Sequence, residues 1–343
     1  MSVKIELNKK ICQPTFLDPA DGHTRKELLF EVRTDPLTGH RSRILRFRRR
    51  KLPEVKIPTE MLEASRASCP FCPEQIFSST PHFVPDIAPE GRMNRGSAWL
   101  FPNSFPYALH NWVVVLSVDH FLHLDQFSVE LLRDGFLIAQ EGIVRLKEAD
   151  PSMGYASINW NYLPQSGGGL FHPHLQVVVE EQATFFHEKV MDGLRRYRKE
   201  NGSDYWQDYL SEELERGERY IGNRGNVHFI TAFSPRGILG EVVILFQDRM
   251  GVEELGEGDW TQFLEGLTGI FQYLLKKYTF SFNLSLFFEP TKDARSWVYG
   301  RLCPRMILPP WNTSDINYFE KLHGEVICVV SPEELCTELK PYF

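Results

Sequence analysis

The sequence has no apolar run approaching the roughly 20 residues that a membrane-spanning helix needs. It has no charged start followed by an apolar stretch, so no secretory leader is expected. Low-complexity segments are missing. Cysteine is sparse: of six, Cys12, Cys303, Cys328 and Cys336 are scattered, which argues against a disulfide framework. Positive charge is not in excess either. With 38 Lys plus Arg against 45 Asp plus Glu, the net charge of −7 argues against a general nucleic-acid binder. Together these absences predict a cytoplasmic chain with neither membrane nor nucleic acid as partner, its free thiols suited to a reducing compartment. The one strongly basic run, 41–51 (RSRILRFRRRK), reads either as a solvated strand edge or as a collar for substrate phosphates, whose oxygens suit guanidinium forks.

Against this background stands His172-Pro173-His174-Leu175-Gln176, entered from Gly167, Gly168 and Gly169 and followed by Val177-Val178-Val179. Alternate side chains of a strand share a face. His172, His174 and Gln176 therefore point one way, Pro173 and Leu175 the other. Two imidazoles and an amide in a row suit a site: one ring binds a metal or positions the other, one attacks, and the amide holds a phosphate oxygen. The glycines let backbone N–H groups approach an anion closely. The plainer reading is two surface histidines on an edge strand.

Cys69-Pro70-Phe71-Cys72 has the spacing of half a tetrahedral zinc site. Such a pair also occurs in dithiol redox proteins, after a first strand and at the start of a helix. Here it follows a basic, proline-punctuated stretch and precedes Pro73, a setting that fits a metal knuckle better. His120, in Val118-Asp119-His120, and His172 would complete four ligands and leave His174 free to react. His123 is the rival of His120.

The combination resembles the galactose-1-phosphate uridylyltransferase branch of the histidine-triad superfamily, over most of the chain. Arg33-Thr34-Asp35-Pro36-Leu37-Thr38-Gly39 is similar to the family's opening segment, although the later Pro-Trp-Gln-Gly continuation is missing. Phe101-Pro102-Asn103-Ser104-Phe105-Pro106-Tyr107-Ala108-Leu109 resembles the segment that holds base and ribose. Asn161 stands where the family has a substrate-binding Asn, and 206–217 (WQDYLSEELERG) resembles the helical link between its halves.

The resemblance implies double displacement. His174 would attack the α-phosphorus of a nucleotide sugar, and a second phosphate would then take the nucleotide from the histidine. A neutral imidazole, of reference pKa about 6.5, is a good nucleophile near pH 7. Gln176 would hydrogen-bond the transferred phosphate. Asn103 falls in the base and ribose segment, Asn161 and the backbone of Gly167, Gly168 and Gly169 would hold the diphosphate, and Arg41 and Arg43 would meet phosphate oxygens. Cys69, Cys72, His120 and His172 would be the four ligands of a structural Zn2+. A homodimer is implied as well.

Departures from the family narrow the reading. Small polar residues usually occupy two of the three glycine positions. The region 297–303 lacks the histidine pair of members with a second metal. The acceptor glutamine position, after Phe319-Glu320, falls at Val326, and 320–333 looks more like the branch typified by plant ADP-glucose phosphorylase, which uses phosphate as acceptor. Trp311 and Tyr318 are candidates to close a sugar pocket.

The expected fold is α+β: two histidine-triad-like repeats, each an antiparallel sheet with packed helices. The expected division is 1–187 (catalytic half with the zinc site), 188–225 (helical connector) and 226–343 (second half). Strands are expected at 99–101, 111–117, 156–161 and 175–180 with a helix over 126–149, and again at 227–233, 241–246 and 282–288 with a helix over 259–277. Residues 1–68 read as extended and turn-rich. The expected function is nucleotidyl transfer from a nucleotide sugar to a hexose 1-phosphate or to phosphate. The alternatives are a phosphorylase of nucleotide sugars or dinucleoside polyphosphates, and a non-catalytic nucleotide binder.

Overall fold

The structure, a computed structural model, describes residues 5–54, 56–279, 281–290, 296–306 and 314–343. It opens with β1 (Lys9–Cys12), the hairpin β2 (Thr15–Asp18) and β3 (Thr24–Glu27), then β4 (Phe30–Thr34) and β5 (Arg41–Ile44). The Asp-Pro-Leu-Thr-Gly segment is the turn between β4 and β5. Asp35 Oδ1 accepts from the amides of Leu37 and Thr38, and Gly39 takes φ +74°. Helix α1 (Thr59–Ala67) and the single turn α2 (Ile76–Ser79) follow.

The first repeat is β6 (Met93–Arg95), β7 (Ala98–Pro102), β8 (His110–Val115), α3 (Val129–Ala149), β9 (Tyr155–Tyr162) and β10 (His174–Glu180). Helices α4 (Phe185–Asn201) and α5 (Tyr205–Arg216) lead to the second: β11 (Tyr220–Arg224), β12 (Val227–Thr231), β13 (Val242–Phe246), α6 (Glu257–Lys276), β14 (Ser281–Phe288) and β15 (Tyr299–Arg305). The chain ends in α7 (Tyr318–His323), β16 (Val326–Cys328) and α8 (Pro332–Leu339).

The antiparallel sheets of the two repeats are continuous: their ten strands join one sheet, ordered β11-β12-β13-β15-β14-β9-β10-β8-β7-β6. The two repeats meet at β9 and β14, where Asn161 pairs with Asn283 and Asn159 with Ser285. Strand order in one repeat is the reverse of the other, so the sheet has a pseudo-twofold at this seam. Gly96 and Gly225, both at positive φ, open the matching β6–β7 and β11–β12 turns. Counting along the ladders from these glycines puts Tyr299 in the place of His174 and Arg301 in that of Gln176.

One face of the sheet carries α3 and α6. Ser128 caps α3 by accepting from the Leu131 amide, and the helix packs Leu132, Phe136 and Ile143 onto the alternate residues Leu175, Val177 and Val179 of β10. Each such side chain, fully buried, contributes about 1.5–3 kcal/mol. The opposite face differs between repeats. In the second it is covered by α4 and α5, whose Tyr205, Trp206 and Tyr209 pack with Ile230, Val243 and Tyr299. In the first it presents His174 and Gln176.

Strand β11 pairs antiparallel with β12 across the Gly225 turn. The described residues up to 68 hold more strand than their turn-rich composition suggests. Strands β1, β4 and β5 form a small sheet, completed by β16 lying parallel to β5. Among the described residues no helix is long and apolar enough to cross a membrane.

Candidate functional site

The two cysteines sit in the loop after α1, His120 in the loop after β8, and His172 just before β10. The fold gathers these four side chains so that their ligand atoms lie within 4.8 Å of one another, all buried. His172 Nδ1 is 3.6 Å from Cys69 Sγ and 3.7 Å from Cys72 Sγ, and His120 Nδ1 is 3.4 Å from Cys72 Sγ. The S···N edge of a tetrahedron with Zn–S about 2.3 Å and Zn–N about 2.0 Å is about 3.5 Å. The donors therefore stand where a zinc-sized ion would place them.

The outer atoms of both rings are used as metal sites require. His172 Nε2 donates to the Ser117 carbonyl at 2.8 Å, which leaves Nδ1 as a lone pair facing the thiols. His120 Nε2 is 3.2 Å from Ser65 Oγ on α1. Burial, then the neighbouring Cys69 thiol, pushes Cys72 up to about 12, while burial pushes His172 down to about 4. A divalent cation would turn such a pair of thiols into thiolates. His123 lies outside the cluster, its Nδ1 3.2 Å from Asp125.

His174 follows on the same face of the strand and is 6% exposed. Its Nδ1 donates to the His172 carbonyl at 2.8 Å. A backbone carbonyl can only accept, so the ring is held as the Nδ1–H tautomer with a free lone pair on Nε2. Burial lowers its pKa, keeping the ring neutral. Phe71, from between the two cysteines, meets the His174 ring edge-on at a centroid separation of 5.3 Å. Gln176 shares the face, and Tyr107, exposed in the loop between β7 and β8, hydrogen-bonds its Oε1. Asn103 braces that loop, with Nδ2 2.8 Å from Asn111 Oδ1 and Oδ1 accepting from the Phe105 amide.

The glycine run forms a loop folded against β9. Leu163 takes φ +70° and Gly167 φ +92°. A Cβ on Gly168 would come within 3.0 Å of the Asn161 carbonyl. Gly167 and Gly169 face open space. Asn161 lies at the seam, where its Oδ1 accepts from Asn283 Nδ2 at 2.6 Å.

Arg41 and Arg43 are not part of this grouping within the chain. They lie on β5 in the small sheet, where both pair with the Glu325 carboxylate at 3.0 and 3.1 Å. Val326 is the next residue, 3% exposed at the start of β16. The basic stretch and the acceptor region of the sequence thus meet each other, through a strand pairing that local pattern does not reveal. Tyr318 is 70% exposed on α7, and Trp311 lies outside the described residues. Ser65, Phe71, Tyr107 and Asn283 join the site without having been singled out in the sequence. Only Phe71 and Tyr107 had a signal, their position inside motifs already marked.

No protein-family model matches the chain. An uncharacterized protein of Archaeoglobus fulgidus is 28% identical over 316 residues, which span 92% of this chain and 93% of the other. Among solved structures, an ADP-glucose phosphorylase from Arabidopsis thaliana with bound ADP-glucose superposes with a TM-score of 0.68 at 18% identity, over 91% of this chain and 98% of that one. A uridylyltransferase superposes with a TM-score of 0.64 at 16% identity, over 91% and 97% of the two chains. At 18% and 16% identity, the likeness to both structures is one of fold.

Proposed function

From this shared fold we propose that the chain is a nucleotidyltransferase that takes a nucleotide from a nucleotide sugar onto His174 and passes it to a phosphate-bearing acceptor. The observation that carries the reading is the bond from His174 Nδ1 to the His172 carbonyl, which leaves Nε2 as the nucleophilic atom of a neutral ring. Nε2 attacks the α-phosphorus, the bond from that phosphorus to the bridging oxygen breaks, and sugar 1-phosphate leaves with the electron pair. The ring becomes positively charged as the P–N bond forms, and the His172 carbonyl meets that charge through the Nδ1 proton. In the second step an oxygen of the acceptor phosphate attacks the same phosphorus, the P–N bond breaks, and the neutral imidazole returns.

Gln176 and Asn161 are the amides assigned to the phosphate oxygens, with the backbone of Gly167, Gly168 and Gly169 beside them. Asn103 keeps the loop over the base and ribose in place. Cys69, Cys72, His120 and His172 would hold Zn2+, which fixes the strand segment whose carbonyl orients His174 and leaves no open position for chemistry. Arg41 and Arg43 lie on the small sheet, paired with Glu325, and the resemblance implies a homodimer. Inorganic phosphate is the favoured acceptor, because Val326 offers no hydrogen bond to a hexose.

The test is intact-mass spectrometry after incubation with ADP-glucose and with UDP-glucose. The expected result is a nucleotide adduct that maps to His174 and is absent from His174→Asn, a variant that keeps its metal and its melting temperature. No adduct from either sugar nucleotide, or one on another residue, would overturn the reading.

A further inference from the structure

The second repeat carries Tyr299 where the first carries His174, yet it reaches into the site through a directed chain of hydrogen bonds. Arg305 on β15 is anchored by Asp315, with Nε 2.9 Å from each carboxylate oxygen, and Asp315 also accepts from the Met306 amide. Arg305 Nη1 donates to Asn283 Oδ1 at 2.7 Å. Asn283 Nδ2 donates to Asn161 Oδ1 at 2.6 Å and to the Ser166 carbonyl at 2.8 Å.

The direction of this chain is fixed by chemistry. A guanidinium can only donate and a backbone carbonyl can only accept. Asn283 must therefore turn its oxygen to Arg305 and its nitrogen to Ser166. That nitrogen can meet only the oxygen of Asn161, so Asn161 is left with its own NH2 facing away from the seam. A free asparagine amide can present either end. This one is held as a donor, the end that an anionic diphosphate requires. The bond to Ser166 acts in parallel: Ser166 directly precedes Gly167, so the same amide holds the entry to the glycine loop.

Resting on the transfer reading above, we propose that Asn283 and Arg305 are positioning residues. They hold Asn161 in the donor orientation and fix the glycine loop, so that the repeat without the nucleophile presets the diphosphate site of the repeat that has it. Neither residue need touch the substrate.

The experiment is a double-mutant cycle on Asn161→Ala and Asn283→Ala, read as the single-turnover rate of adduct formation from ADP-glucose and UDP-glucose. Asn283→Ala is expected to slow adduct formation about tenfold, the size of one lost hydrogen bond to an anion. The double variant is expected to fall short of the product of the two single effects by at least about fivefold, because Asn283 acts through Asn161. A simple product would overturn the proposal. Asn283→Asp serves as the second variant if Asn283→Ala fails to fold. It keeps shape and can accept from Arg305 but cannot donate, so it should lose as much as Asn283→Ala. Wild-type rates in Asn283→Asp would equally overturn the proposal. If the wild type binds ADP by calorimetry but forms no adduct, the transfer reading fails while the same cycle on ADP affinity decides this one. If ADP is not bound, both fall.

Discussion

Tyr107 Oη lies 2.5 Å from Gln176 Oε1, so a phenol from the loop between β7 and β8 holds the amide two positions past the proposed nucleophile. With Oε1 engaged, Gln176 is left to offer Nε2 to a phosphate oxygen, the group it must meet as charge develops. Tyr107→Phe removes the tether and little else, since the ring is exposed. It is expected to slow adduct formation by about 3- to 10-fold with melting temperature unchanged. Single-turnover rates at saturating nucleotide sugar check this, and an unchanged rate would show that the contact is incidental.

Protein prepared without chelator is expected to carry about one zinc per chain, by the count of four protein ligands for one closed site. His120→Ala should lose the metal and His123→Ala should keep it, because His120 Nδ1 faces Cys72 whereas His123 Nδ1 lies against Asp125. Chelation should lower the melting temperature, since binding free energy at such a site is folding free energy. Elemental analysis of the two variants decides the ligand assignment, and the opposite pattern would transfer it to His123.

Acid should expose the contact that ties the end of the chain to its beginning. Burial alone would raise the Glu333 carboxyl, but the forked guanidinium of Arg33, at 2.8 and 2.9 Å, holds it at about 2 with Arg219 nearby. An unfolded Glu titrates at about 4.3. A folded value below the unfolded one gives stability that is complete above about 4.3 and lost as pH falls toward 2. Glu333→Gln is expected to cost about 1–3 kcal/mol at pH 7 and then to lose less than the wild type between about pH 4.5 and 2. Urea unfolding at several pH values measures both, and parallel profiles would rule the linkage out.

The acceptor can be tested on preformed adduct. Val326 is buried in β16, so neither its chemistry nor its position lets it hydrogen-bond a hexose. Phosphate is therefore expected to discharge the nucleotidyl-histidine at least as fast as galactose 1-phosphate at equal concentration. Discharge by the sugar phosphate tens of times faster would restore the plain uridylyltransferase assignment.

The parts of this molecule legible in its sequence were those encoded within a few residues. The strand through His174 follows from alternation, α3 and α6 from helical spacing, and half of the buried Cys/His cluster from two cysteines around Pro70 and Phe71. What was hidden depends on distant pairing. Strand β15 contains Pro304, which speaks against a strand, but Pro304 lies beyond the last β13 pair, Val242–Leu302, where no ladder bond is lost on that side. For Arg41 and Arg43 the basic run shows charge and not its neighbours. Their partner, Glu325, is supplied from the far end of the chain. Asn283 carried no local signal at all, since its role comes from facing Asn161 across the seam.

The parallel pairing of β5 with β16 also sets a timetable for synthesis. Arg43 and Glu325 are 282 residues apart, and at about 5–20 residues per second a ribosome needs roughly a quarter of a minute to a minute to cover that distance. Throughout that interval β5 has one edge without its strand, and the Arg33 guanidinium lacks the Glu333 carboxylate that later grips it. Strands β1, β4 and β5 can pair early, but the fourth strand of the small sheet comes only with β16. An unpaired edge of this kind invites pairing with other chains.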